Sequence, residues 1–162
     1  MQHFLLLIPL GYLIAISIPL AITDIREHRL PNKLTLSAAL LTIASLAAAS
    51  LMSGDWQALT SALIAAITTF FIGWFLAARA AIGMGDIKLL ISLNAFAGYL
   101  SPLLPLISMA IAFLAATLIS SIFLFGKRLN LQSSIALGPY LLLGFFVAVT
   151  PSALEATAEA WS

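Results

Sequence analysis

Residues Leu89–Gly126 read LLISLNAFAGYLSPLLPLISMAIAFLAATLISSIFLFG, a stretch of 38 residues without a charge. As one helix at 1.5 Å per residue it would measure about 57 Å, nearly twice the hydrocarbon thickness of a bilayer. It must therefore fold back once. The turn falls at Ser101-Pro102-Leu103-Leu104-Pro105, because each proline removes a backbone donor and disfavours helix in the residue before it.

Working outward, the uncharged runs Phe4–Ile22, Leu34–Met52, Ala58–Ala78 and Ile135–Leu154 are each of spanning size, given that a transmembrane helix needs about 20 apolar residues. Together with the two halves of the folded-back stretch they predict an all-α, polytopic membrane protein. It has six transmembrane helices and a single domain over residues 1–162. Composition excludes the soluble alternative. The chain is 62% hydrophobic and 8% charged, whereas a soluble domain carries about 25% charged residues to cover its water-facing surface. Nucleic acid is not an expected partner, since the net charge is +1 and no basic cluster is interleaved with aromatic residues. The absence of cysteine removes disulfides, thiolate metal sites and cysteine nucleophiles.

The basic residues set the expected orientation. Arg26, Arg29 and Lys33 lie between helices one and two, Arg79 and Lys88 between three and four, and Lys127 and Arg128 between five and six. Every odd-numbered loop then reads as cytoplasmic and both termini as external. Met1-Gln2-His3 offers no basic segment and no small-residue cleavage site follows, so the first helix is expected to stay in the mature protein rather than act as a signal peptide. The many small residues, such as Ala47-Ala48-Ala49-Ser50, suit close helix packing in lipid and carry no chemistry.

Asp55, Glu155 and Glu159 fall in external loops or tails, where a solvated carboxylate needs no function. Two other acids are harder to dismiss. Asp24 follows the first apolar run, in Thr23-Asp24-Ile25-Arg26-Glu27-His28-Arg29-Leu30-Pro31-Asn32-Lys33, and Asp86 closes Gly83-Met84-Gly85-Asp86 ahead of the fourth helix. Either one alone could be an interfacial acid or a helix cap. As a pair they share the cytoplasmic side. The short fourth segment would draw Asp86 below the interface, where an ionisable group is by default functional. Gly83 and Gly85 suit positive φ or close approach by another backbone.

Two carboxylates flanking one water can act as base and acid together. At about 5 Å and an effective dielectric of about 20 their mutual repulsion is roughly 3.3 kcal/mol, so they would titrate as a unit. No serine–histidine alternative exists, because the only histidines are His3 and His28. A metal site from Asp24, Glu27, His28 and Asp86 is conceivable. It is the weaker reading, because Glu27-His28 sits in a run of alternating charge, and neither a metal nor a cofactor is expected.

Asp24 with Arg26, Arg29, Pro31 and Asn32 after a first helix, then Gly83-x-Gly85-Asp86-x-Lys88-Leu89 opening a later one, resembles the type IV prepilin leader peptidases, the G-x-G-D membrane aspartic proteases. Leu137-Gly138-Pro139-Tyr140-Leu141 with Gly144 is similar to a Gly-Pro-aromatic stretch in that family's last helix. The resemblance spans about residues 5 to 147. It implies that Asp24 and Asp86 are the catalytic pair, and that Gly83, Gly85, Lys88, Pro31 and Asn32 support them. It also implies that the substrates are prepilins or pseudopilins, cut at the cytoplasmic face of a prokaryotic inner membrane, between a basic leader and an apolar helix. Larger members carry paired Cys-x-x-Cys motifs associated with zinc and N-methylation. Their absence here leads us to expect proteolysis without methyl transfer, as in the minimal peptidases of Flp or Tad-type pilus systems, with archaeal preflagellin peptidases a related form. Lys88 is expected to anchor at lipid headgroups, and Gly83 and Gly85 to admit the substrate backbone.

Two alternatives stay open at the level of sequence. Presenilin-like and signal-peptide-peptidase-like proteases also use G-x-G-D, but resemble larger chains with a tyrosine where this one has Thr23. A small transporter or proton-relay subunit would need ionisable groups through the bilayer depth, whereas the midplane offers only residues such as Ser17, Thr68, Thr69 and Asn94.

Overall fold

A computed structural model describes residues 2–27, 29–79, 83–125 and 136–161. Six helices follow one another: α1 (Gln2–Glu27), α2 (Asn32–Ser53), α3 (Trp56–Ala78), α4 (Met84–Leu100), α5 (Leu104–Phe125) and α6 (Gly138–Trp161). Among the described residues there is no strand. The fold-back of the long uncharged stretch occurs where the prolines require it, with Ser101 closing α4 in an extended conformation. Among the described residues four helices are long and apolar enough to cross a bilayer, over Leu5–Glu27, Asn32–Ser53, Trp56–Ala78 and Leu104–Ile122. The protein is a membrane protein of all-α class.

Two helix ends differ from the sequence expectation. α1 does not stop with its apolar run at Ile22 but continues to Glu27, because a helix leaving lipid loses its need for apolar side chains and keeps its backbone ladder. Asp24 is thereby a residue of the last turns of α1, not of a loop. α4 begins at Met84, so Asp86 lies inside its first turn rather than ahead of it, with Gly83 in extended conformation as the N-cap. Its 17 residues make a rod of about 26 Å.

The junction of α2 and α3 is closed by local chemistry. Gly54 takes φ 75° after α2, a left-handed conformation that glycine adopts without steric cost, and returns its N–H to Ser50 O at 2.8 Å. Asp55, expected as a merely solvated acid, caps α3 by accepting from the Ala58 N–H at 3.0 Å. Glu155 and Glu159 lie where side chains fall outside the described residues, as do Lys127 and Arg128.

α4 is the centre of the bundle. It packs against α2, α3, α5 and α6, and from Leu89 to Gly98 nearly every side chain is buried. A helix apolar all round belongs inside. Small residues set the spacing. A Cβ on Gly98 would lie 2.9 Å from Ala65 Cβ on α3, and one on Gly144 of α6 would lie 2.8 Å from Ala112 of α5. Close backbone approach of this kind is how helices associate in lipid, where no hydrophobic force separates protein from solvent. Phe96 and Phe145 meet edge to face at 5.8 Å in the middle of the core. Large side chains such as Ile18, Phe71 and Ile122 point outward, as suits a surface that faces lipid.

Candidate active site

The fold brings the loop-side ends of α1, α2, α4 and α6 together, and this is where the singled-out residues meet. Asp24 is 4% exposed, an unusual burial for a carboxylate. Its Oδ2 accepts a hydrogen bond from the backbone N–H of Gly138 at 2.7 Å, across 114 residues of sequence. Gly138 opens α6, and Pro139 follows it. Proline suits a first helical position because the N–H it lacks would have no partner within the helix. The Gly138 N–H is therefore a free donor that Asp24 satisfies.

Asp86 sits in the first turn of α4, partly buried, and near enough to Asp24 for the two carboxylates to interact electrostatically. Its Oδ1 is buried and has no hydrogen-bond partner among the described residues. Its Oδ2 faces Gly83, where a Cβ would lie 3.0 Å away. Each acid is thus approached by a backbone N–H, Gly138 at Asp24 and Gly83 at Asp86, and each keeps one oxygen for other partners.

Leu30 is the residue that locks the two halves together. It is buried between α1 and α2, and a Cβ on Gly138 would approach its Cδ2 at 3.3 Å. A Cβ on Gly85 would lie 2.9 Å from Leu30 Cβ and 3.2 Å from Leu30 O. The absence of a side chain at Gly85 lets the Arg29–Pro31 segment lie directly on α4. Gly85 therefore serves an approach between two parts of this chain rather than the expected approach of substrate, and only the exposed Gly83 remains open to that role. Neither glycine needs positive φ. Gly83 has φ −71°, and among the described residues only Gly54 is a positive-φ glycine.

The remaining motif residues lie at the rim. Pro31 is the N-cap of α2, and its carbonyl accepts from the N–H groups of Leu34 and Thr35 at 3.1 and 3.2 Å. Asn32 Oδ1 accepts from Lys88 Nζ at 2.9 Å, tying α2 to α4. Lys88, expected to reach lipid headgroups, gives one of its three ammonium donors to Asn32.

Of the four residues of the conceivable metal cluster, three fall among the described residues. Glu27 is exposed, His28 lies outside the described residues, and among the described residues no three His, Asp or Glu side chains converge. Sequence reasoning marked the Gly138-Pro139 stretch without giving it a task. Its signal was the Gly-Pro start of a helix, but a backbone donor leaves no side-chain trace to say which acid it serves.

Residues 11–125 match the model of the type IV leader peptidase family. The chain belongs to that family. The match covers both aspartates and the Gly83-x-Gly85-Asp86 turn, and ends before α6. No curated protein and no solved structure matches the chain. As a type IV leader peptidase family member it is a membrane-embedded peptidase. The Gly138 contact adds to the site a residue that the matched segment does not include.

Proposed function

We propose that the protein is an aspartic endopeptidase that removes the leader peptide from type IV, Flp-like prepilins or pseudopilins at the cytoplasmic face of the inner membrane. The observation that carries this reading is the juxtaposition of Asp24 and Asp86, buried or partly buried at one end of the bundle, in a chain whose family acts on leader peptides. The basic residues at the same end, Arg26, Arg29, Lys33, Arg79 and Lys88, support a cytoplasmic orientation.

The chemistry needs a dyad holding one proton between its two carboxylates. The ionised carboxylate takes a proton from water as the water oxygen bonds to the scissile carbonyl carbon. The protonated partner gives its proton to the carbonyl oxygen. The resulting tetrahedral diol collapses as the C–N bond breaks. The leaving amine takes the proton first removed from water, and a diol hydroxyl returns its proton to the second carboxylate. The dyad ends as it began. With Asp24 Oδ2 engaged by Gly138, its other oxygen and the unpartnered Oδ1 of Asp86 are the atoms left for water and substrate.

The test is cleavage of a Flp-type prepilin by the purified protein in liposomes, read as a shift in substrate mass. Asp24→Asn and Asp86→Asn should each abolish cleavage, with both variants still inserted in the membrane. Persisting activity in either one would overturn the assignment.

A further inference from the structure

α3 and α5 both pack on α4, but they stand apart from each other. Between them runs a groove of about 470 Å³, floored by Leu90 and Asn94 of α4 and walled by Ile64, Thr68 and Leu76 of α3 and by Leu106 of α5. Along α3 it extends from Ser61 to Leu76, about 22 Å at 1.5 Å per residue. That is most of the depth of a hydrocarbon layer. Its walls are not closed by packing, since Ile64 and Leu106 are 65% and 66% exposed.

Two features set this groove apart from an ordinary lipid-facing crevice. The first is where it ends. Leu90 lies one helical turn after Asp86, and Gly73 in the groove wall receives the side chain of Ile87, where a Cβ would meet Ile87 Cγ2 at 2.8 Å. The groove therefore ends one helical turn of α4 from the acid, with the buried Ile87 packed beside its end. The second is its floor. Asn94 is 1% exposed, and its Nδ2 donates to Thr69 Oγ1 at 2.8 Å, while that hydroxyl donates to Ala65 O at 2.7 Å. This leaves Asn94 Oδ1 without a partner among the described residues. A buried amide at bilayer depth is costly to keep unless it serves a purpose.

We infer that the α3–α4–α5 groove seats the apolar helix of the substrate, so that the bond at that helix's cytoplasmic end is delivered to Asp86. This rests on the reading of the protein as a leader peptidase, and it follows from the groove ending one turn of α4 from Asp86. An acyl chain could fill the groove, but it has no peptide bond to present at its end. A transmembrane segment with its cleavage site at one end has one there.

The experiment places a photo-crosslinking amino acid in turn at Leu106, in the groove, and at Leu40, 63% exposed on α2. The substrate is a full-length prepilin in liposomes, with cleavage by the unmodified protein measured first. The Leu106 position should capture the prepilin helix, and the Leu40 position should not. In parallel, Thr68→Trp fills the groove and should raise KM for the prepilin by about tenfold or more, the worth of one lost packing contact of hot-spot size, with a smaller change in kcat. Leu40→Trp should cleave like the unmodified protein. Capture at Leu40 instead, crosslinking of lipid alone at Leu106, or an unchanged KM in Thr68→Trp overturns the groove while leaving the peptidase reading intact. An unmodified protein that cuts no prepilin overturns that reading, and the groove falls with it.

Discussion

The backbone N–H of Gly138 donates to Asp24 Oδ2 at 2.7 Å, so the first residue of the last helix holds a carboxylate of the first. A Cβ at position 138 would stand 2.8 Å from that oxygen and 3.3 Å from Leu30 Cδ2. Gly138→Ala should therefore push Asp24 out of register and lower kcat by about 10- to 100-fold, as misplacement by about an ångström does in active sites. Thermal unfolding in detergent should shift far less than activity. Wild-type kcat in this variant would show that the contact does not position Asp24.

Gly85→Ala should act through stability. The new methyl would meet Leu30 Cβ and the Leu30 carbonyl oxygen, neither of which is the yielding end of a flexible side chain. Overpacking of this kind costs about 1–3 kcal/mol, measurable as a lowered unfolding midpoint. Leu30→Ala should not rescue it, because alanine keeps the same Cβ. Rescue would mean that the clash lies further out along the leucine.

The pH profile of cleavage should be a bell. With both carboxylates protonated no base remains for water, and with both ionised no acid remains for the carbonyl oxygen. The rate therefore falls at each extreme, with two apparent constants that belong to the dyad rather than to either residue. Measuring kcat/KM across the range in liposomes checks this. A rate that climbs to a plateau and stays there would remove one carboxylate from the mechanism.

Lys88 and Asn32 should be coupled but dispensable for chemistry. Their hydrogen bond at 2.9 Å is at the exposed rim, and a bond to a charged group there is worth about 1 kcal/mol, less than a buried one. A double-mutant cycle of Lys88→Met and Asn32→Ala, read by unfolding, should return coupling of about that size. Additive effects would show the contact to be energetically silent.

Helix number, the Pro102–Pro105 turn and the pairing of Asp24 with Asp86 on one side were all legible in the chain, because lipid makes apolar length and charge placement speak directly. The end of α1 was not. Hydropathy drops after Ile22, but the backbone ladder has no reason to stop there, and Asp24 is helical as a result. The tasks of the glycines were legible only by half. Gly83-x-Gly85 announced close approach without saying that Leu30 would be the visitor at Gly85. Lys88 pointed to headgroups by its type, yet Asn32, 56 residues earlier, was within its reach. The Gly138 donor was hidden altogether, since it is made by a main-chain atom and a loop-crossing contact.

Asp86 is mounted on α4, which packs against four other helices, whereas Asp24 is mounted on α1, which rests on α2 and α6 and turns Ile14, Ile18 and Ile22 outward. One half of the dyad is thus set in the frame of the bundle and the other on its outer wall. A change in bilayer thickness, which a helix meets by tilting, should reach the chemistry first through the Asp24 side. The Gly138 hydrogen bond is the strut it would strain first.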